Sequence, residues 1–171
     1  LGLDFDNTLV EYDQLFFQLA QEKKLVDKSV PATKTAIRDY LRSKNQGEEF
    51  TILQGEVYGA KILEAKAAEG MIEALQKVHN SGIPMVLVSH KTKYPFKGPK
   101  YDLHDSAIKW LEKYNFFQKD GLGWATENIF FEPTKESKVS RIRICRCSHY
   151  IDDLNEILDM IDGKVRKIHY T

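Results

Sequence analysis

Apolar residues along the chain follow two different rhythms, which divide it into two kinds of segment. Between Tyr12 and Glu69 they recur at helical spacing, as Leu15, Phe16 and Leu19 do, which predicts a block of helices. Outside that block, short apolar runs alternate with amphipathic stretches. The run at residues 83–88 is apolar throughout, which is typical of a strand buried on both faces.

The order of these segments indicates the fold class. Strands are predicted at residues 1–5, 83–88, 128–132, 149–151 and 165–170, and amphipathic helices lie between them. Such alternation predicts an α/β fold: a Rossmann-like three-layer α/β/α sandwich with a mostly parallel sheet. Residues 1–11 and 70–171 would form this core, and residues 12–69 would be a small helical insertion.

Polar residues end three of the predicted strands. Asp4 lies near the end of the first, Ser89 follows the second, and the pair Asp152 and Asp153 follows a later one. In parallel sheets the reacting groups lie beyond the carboxyl ends of the strands. If these strands are neighbours, Asp4, Asp6 and the later pair converge, which is unfavourable by several kcal/mol unless a cation neutralises them. The expected cation is Mg²⁺, because it prefers oxygen ligands.

Other residues near the same strand ends are suited to binding a phosphoryl group. The candidates are Thr8, Ser89, His90 and Lys91. A lysine on the helix before the second acidic pair would neutralise the nucleophile and the transferring group. Periodicity does not choose between Lys135 and Lys138, since both fall on the helix face marked by Val139 and Ile142.

The chain resembles the haloacid dehalogenase-like (HAD) superfamily in four motifs that occur in that superfamily's order. They are Asp4-Phe5-Asp6-Asn7-Thr8, Val86-Leu87-Val88-Ser89-His90-Lys91, a downstream lysine, and Ile151-Asp152-Asp153. The resemblance covers the chain except residues 12–69. The first motif is fairly specific when it follows an N-terminal strand, and the other three are weak singly.

The resemblance implies a role for each matched residue. Asp4 would attack phosphorus and become an aspartyl-phosphate. Asp6 would give a proton to the leaving oxygen and later take one from water. Mg²⁺ would be held by the Asp4 carboxylate, the Asp6 carbonyl and Asp152, with Asp153 binding directly or through water. Lys138 is favoured as the catalytic lysine, because the superfamily lysine commonly sits just before the first inward apolar residues of this helix.

The implied function is that of a phosphoric monoester hydrolase acting on a small phosphorylated metabolite. The aspartate at position 6 favours phosphate chemistry over displacement of halide or cleavage of phosphonates. A phosphotransferase or mutase, and a catalytically silent member that only binds phosphate, remain alternatives. A response-regulator receiver is disfavoured, because its adjacent acidic pair comes after the first strand rather than last.

The insertion at residues 12–69 resembles the helical cap that many superfamily members carry, and it would select the substrate. Within it, Gly55 and Gly59 interrupt the helical pattern, which indicates either a shaped loop or a plain connector between helices.

Charge and composition restrict the kinds of binding partner to be expected. Lys+Arg and Asp+Glu each number 25, so no net field recruits nucleic acid or an anionic membrane. The N-terminal residues lack the basic-then-apolar pattern of a secretory signal, and the cysteines Cys145 and Cys147 are expected to be reduced thiols. We therefore expect a cytoplasmic protein, and the sequence leaves its oligomeric state open.

Overall fold

A parallel β-sheet of five strands organises one of two compact units in the computed structural model, which describes residues 1–171. We call this the sheet unit; it comprises Leu1–Val10, Ala67–Thr92 and Leu111–Thr171. The second, here the helical unit, comprises Glu11–Lys66 and Lys93–Trp110. It therefore takes in most of the predicted insertion and also residues 93–110, which lie after the second predicted strand.

The strands and helices follow the predicted order closely. The strands are β1 (Gly2–Leu3), β2 (Val10–Glu11), β3 (Lys66–Ala67), β4 (Val86–His90), β5 (Ile129–Glu132), β6 (His149–Asp152) and β7 (Arg166–His169). The helices are α1 (Asp13–Glu22), α2 (Lys34–Ser43), α3 (Gly47–Tyr58), α4 (Met71–Asn80), α5 (Leu103–Lys113), α6 (Lys135–Ile144) and α7 (Asn155–Met160). None of the helices is both long and apolar enough to span a membrane.

The order of strands in the sheet brings the predicted site residues to one place. The order is β5-β4-β1-β6-β7, and every pairing is parallel, which confirms the predicted α/β fold. The chain builds outward from β1 through β4 to β5 and then returns to place β6 on the other side of β1. Such a reversal opens a crevice at the carboxyl ends of β1 and its neighbour β6, and ligands bind at such crevices in α/β sheets. Asp4 follows β1 and Asp152 ends β6, so both lie at that crevice.

Apolar packing under the sheet holds these strand ends in position. Val88, Ile142, Tyr150 and Ile157 are buried in one cluster that joins the sheet to α6 and α7. The hydroxyl of Tyr150 donates a hydrogen bond to the carbonyl oxygen of Val88, 2.5 Å away. This gives the buried phenol group a hydrogen-bond partner.

The helical unit has an aromatic core of its own. The rings of Phe16 and Phe50 stack with their centroids 5.7 Å apart, and Tyr12 lies against Tyr58 at 4.7 Å. The indole of Trp110 donates a hydrogen bond to the carbonyl oxygen of Ala65, 3.0 Å away. This bond ties the α5 part of the unit to the part that precedes Lys66.

The loop or connector expected at Gly55 is wrong, because Gly55 lies within α3, whereas Gly59 follows the end of the helix and lies in the connection to the next segment. The two glycines instead present bare backbone to the segment between β4 and α5. A Cβ at position 55 would lie 2.8 Å from Cβ of Pro95, and one at position 59 would lie 2.5 Å from Cβ of Tyr101. Glycine is required here so that the segment can pack directly on the helix.

Candidate active site

The buried polar and charged residues of this protein form a short set. They are Asp4, Thr8, Ser89, Lys91, Lys138 and Asp152, each at most 4% exposed. All six were predicted as site residues from the sequence. Burying a polar or charged side chain is unfavourable unless it is paired. A cluster of such residues therefore indicates a candidate functional site, which the fold keeps at some cost in stability.

Lys138 lies at the centre of this set. It is on α6, whose first turn is capped by the Thr134 hydroxyl accepting a hydrogen bond from the Ser137 amide at 3.1 Å. Its Nζ atom lies 2.6 Å from Oδ1 of Asp4 and 2.7 Å from Oδ2 of Asp152. The lysine therefore bridges the carboxylates that follow two neighbouring strands, and each contact is a charge-assisted hydrogen bond.

The charges in this cluster shift one another's protonation. Burial raises the pKa of the Asp4 carboxyl to about 7; the charge of Lys138 opposes this rise, and those of Asp152 and Asp6 add to it. Burial acts to lower the pKa of Lys138, but the charges and hydrogen bonds of Asp4 and Asp152 outweigh it and raise that pKa. Lys138 is thus held as an ammonium ion, and additional positive charge beside Asp4 would favour the carboxylate form.

Three aspartates at the crevice could hold a metal ion. Carboxylate oxygens of Asp4, Asp152 and Asp153 all lie within 4.8 Å of one another, and the first two residues are buried. All three ligands are oxygens, which suits a hard divalent cation such as Mg²⁺. Lys91 and Lys138 bring two positive charges to the four carboxylates of Asp4, Asp6, Asp152 and Asp153. A divalent cation would bring the remaining two, so the residues fit such an ion.

A tight turn after β1 places the rest of the first motif. The amides of Leu9 and Val10 donate to the carbonyl oxygen of Phe5 at 3.0 and 3.2 Å. Asn7 within this turn adopts a left-handed conformation with φ of 56°. Asparagine tolerates this region better than most residues. Its side-chain amide donates to Oδ2 of Asp153 at 3.3 Å, so it helps to orient one of the candidate metal ligands.

Asp6 and Lys91 form a second ion pair beside the first. Nζ of Lys91 lies 2.9 Å from both Oδ1 and Oδ2 of Asp6. The Lys91 side chain is 2% exposed and that of Asp6 18% exposed. The carboxylate thus remains reachable from solvent while the ammonium that holds it is buried.

Two hydroxyl groups complete the arrangement. Oγ1 of Thr8 is buried and has no hydrogen-bond partner in the protein, which is uncommon for a buried polar atom. Ser89 is 1% exposed and sits in β4, paired in register with Phe131 of β5. Thr8 lies in the turn after β1, and Ser89 lies near the carboxyl end of the neighbouring strand β4.

Two other candidates lie elsewhere. Lys135 is partly buried, with 34% of its side chain exposed, and pairs with Glu156 at 2.6 Å, so the structure brings Lys138 rather than Lys135 to Asp4. His90 is exposed, and its Nε2 lies 3.1 Å from the carbonyl oxygen of Pro133. Successive residues of a strand point to opposite faces, so His90 is directed away from the side on which Ser89 lies.

Sequence reasoning missed two contacts. It gave Asn7 no role, although an asparagine directly after Asp4-Phe5-Asp6 is a residue type that readily takes a left-handed turn. It also treated Lys91 as a substrate ligand and did not foresee the pair with Asp6. Residues 85 positions apart carry no periodic signal of their contact.

Comparisons with known proteins add little to this description. No family model matches the sequence, and no curated protein matches it. Among solved structures, the chain is similar to a HAD-superfamily hydrolase from Ehrlichia chaffeensis, with 18% sequence identity and a TM-score of 0.49. The match covers 99% of this chain and 86% of the other.

Proposed function

We propose that this protein is a Mg²⁺-dependent phosphatase that hydrolyses a small phosphorylated metabolite through an aspartyl-phosphate on Asp4. The observation that carries this proposal is the bridge from Lys138 to both Asp4 and Asp152 at the carboxyl edge of the sheet. An ammonium ion beside a buried carboxylate keeps that carboxylate in place and offsets the negative charge that an approaching phosphate brings.

In the first half of the reaction, an Oδ atom of Asp4 forms a bond to phosphorus as the bond from phosphorus to the leaving oxygen breaks. Asp6 supplies the proton that the leaving oxygen takes up. In the second half, water attacks phosphorus, its proton passes to Asp6, and the bond to Asp4 breaks. The net change is one phosphate ester and one water converted to one alcohol and one inorganic phosphate.

The remaining residues bind and orient. Lys138 offsets the charge of the transferring group, and the hydroxyls of Thr8 and Ser89 donate to its oxygens. Asp4, Asp152 and Asp153, with the carbonyl of Asp6, would hold Mg²⁺. When bound, this ion screens the repulsion between an anionic nucleophile and an anionic substrate and helps to align them. The helical unit is proposed as the part that selects the substrate.

The test is a comparison of Asp4→Asn with the parent protein. We expect the parent to release phosphate from para-nitrophenyl phosphate and from some members of a panel of phosphorylated metabolites, and to lose this activity when Mg²⁺ is removed. Asp4→Asn should lose the activity with an unchanged circular dichroism spectrum. Wild-type turnover by that variant, on esters that the parent cleaves, would show that Asp4 is not the nucleophile.

A further inference from the structure

The ammonium group of Lys91 makes close contact with the carboxylate of Asp6, which a side chain that only binds substrate would not need to do. Nζ of Lys91 is equidistant, at 2.9 Å, from the two carboxylate oxygens of Asp6. The ammonium donates a hydrogen bond to Oδ1 and lies equally close to Oδ2, so both oxygens of the carboxylate face it. Two contacts to one carboxylate fix its rotation as well as its position.

The lysine itself is held from several sides. Its backbone amide donates to the carbonyl oxygen of Glu132 at 2.9 Å, which continues the pairing of β4 with β5 beyond the last strand residue. Its ammonium lies 5.3 Å from the centre of the Phe5 ring, within range of a cation–π interaction. The backbone and the ammonium end of Lys91 are therefore both held by the protein, and its side chain is only 2% exposed, so little side-chain freedom remains to be lost during a reaction.

The two buried lysines of the site divide its carboxylates between them. Lys138 contacts Asp4 and Asp152, and Lys91 contacts Asp6. In the proposed reaction Asp4 bonds to phosphorus and Asp6 transfers protons. Each lysine is thus assigned by contact to one of the two chemical tasks.

We propose that Lys91 is a positioning residue, whose ammonium group holds the Asp6 carboxylate in the orientation from which it exchanges protons with the leaving oxygen and with water. This inference rests on the proposed function, since it assigns a role within that reaction. Lys91 forms and breaks no covalent bond; the proton that Asp6 gives to the leaving oxygen in the first half is replaced in the second by one from the attacking water. This role differs from binding the phosphoryl group. If Lys91 bound the phosphoryl group, the effect of replacing it would not depend on Asp6.

A double-mutant cycle separates the two roles. Lys91→Met removes the ammonium and keeps an unbranched stem, and Asp6→Asn removes the proton-transfer group. Single-turnover release of alcohol from an alkyl phosphate should fall by about 10²-fold or more in either variant, the range of general acid–base catalysis. In the Asp6→Asn background, adding Lys91→Met should cost less than about threefold, because residues that act as a unit are not additive.

The leaving group gives a second readout. Release of para-nitrophenolate needs little protonation, so Lys91→Met should slow that single turnover by less than about fivefold. The affinity for inorganic phosphate, measured calorimetrically with Mg²⁺ present, should change by less than about twofold. Lys93→Met is the matched control, since Lys93 lies two positions further along, is 58% exposed in its side chain, and pairs loosely with Asp102 at 3.8 Å. It should leave every rate unchanged.

An equal loss from Lys91→Met in both backgrounds and with both leaving groups, together with weaker phosphate binding, would overturn the inference and make Lys91 a substrate ligand. If Lys91→Met does not fold, Lys91→Gln takes its place in the cycle, because it keeps a donor at nearly the same reach. A failure of the proposed function looks different. In that case the wild-type protein releases neither product, or Asp4→Asn matches it, and the inference on Lys91 falls with it.

Discussion

Nζ of Lys138 lies 2.6 Å from Oδ1 of Asp4, although 134 positions separate the two residues in the chain. The contact is made because β1 and β6 are neighbours and α6 leads into β6. It is buried on both sides, with side chains 2% and 6% exposed. Ion pairs of this kind have large consequences when one partner is removed, and several measurements follow from it.

Lys138→Met should both destabilise the protein and abolish its phosphatase activity. The change leaves the carboxylates of Asp4 and Asp152 buried without their cation, which costs about 3–5 kcal/mol in buffer free of divalent ions. Lys135→Met is the matched control from the same helix. Its exposed pair with Glu156 is worth less than about 1 kcal/mol, so stability and turnover should be nearly unchanged. Urea denaturation measures the stability of the two variants, and phosphate release measures their turnover. A larger loss in Lys135→Met than in Lys138→Met would make Lys135 the catalytic lysine.

Mg²⁺ should stabilise the protein against heat. A ligand that binds only the folded state at 100 times its dissociation constant contributes about 2.7 kcal/mol. Each kcal/mol raises the Tm of a chain of this size by about 2–4 °C. Asp153→Asn removes a candidate ligand that is only half-buried, so the variant should fold but need at least about tenfold more Mg²⁺ for the same rise in Tm.

Asp162→Asn serves as the control for that titration. Asp162 is exposed and pairs with Arg143 at 3.0 Å. Its removal should leave the Mg²⁺ dependence of Tm as in the wild type. An equal loss of Mg²⁺ response in the two variants would indicate a general charge effect and contradict a specific site at Asp4, Asp152 and Asp153.

Thr8→Val should separate stability from activity. The hydroxyl of Thr8 is buried without a partner in the protein, so replacing it by a methyl group of similar size should stabilise the fold by about 1 kcal/mol. The same change removes a donor to the phosphoryl group and should lower kcat/KM by about tenfold or more. Thr8→Ser, which keeps the hydroxyl, should retain most of the activity. A Thr8→Val enzyme with wild-type kcat/KM would exclude this residue from the site.

Gly55→Ala should destabilise the helical unit. The added Cβ would lie 2.8 Å from Cβ of Pro95, and such overpacking costs about 1–3 kcal/mol. This exceeds the gain of about 0.5–1 kcal/mol that alanine brings to a helix. At Gly47, also on α3, the nearest atom to an added Cβ is 3.6 Å away, so Gly47→Ala should be neutral or stabilising. Thermal denaturation of the two variants tests this, and equal Tm values would contradict close packing at Gly55.

The strand ends were predictable from the sequence, because a strand buried on both faces leaves a continuous apolar run that a polar residue terminates. Residues 83–88 and Ser89 illustrate this, since β4 begins at Val86 and Ser89 lies within its last two residues. The order of strands and helices likewise predicted a parallel sheet. A helix carrying Lys135 and Lys138 was also predicted before the second acidic pair, and α6 carries both.

Sequence alone left three contacts undecided. It did not choose between Lys135 and Lys138, because a helical repeat of 3.6 residues places positions three apart on nearly the same face. It offered Lys91 as a phosphate ligand, and the contact of its ammonium with Asp6 is seen only in the structure. It predicted a loop or connector at Gly55, which lies within α3, because glycine lowers helix propensity whether or not another segment packs against it.

The first motif separates what the sequence determined from what depended on the tertiary structure. The types and order of Asp4, Asp6 and Thr8 come from the sequence, and they restrict the chemistry to an acidic site at a strand end. Which cation faces which carboxylate was decided by the placement of β1 between β4 and β6, which sets distances of 2.6 to 2.9 Å between groups far apart in the chain. The reason is physical. Local sequence patterns indicate which residues are buried, whereas the energy of an ion pair falls off over a few ångströms and therefore depends on packing across the whole sheet.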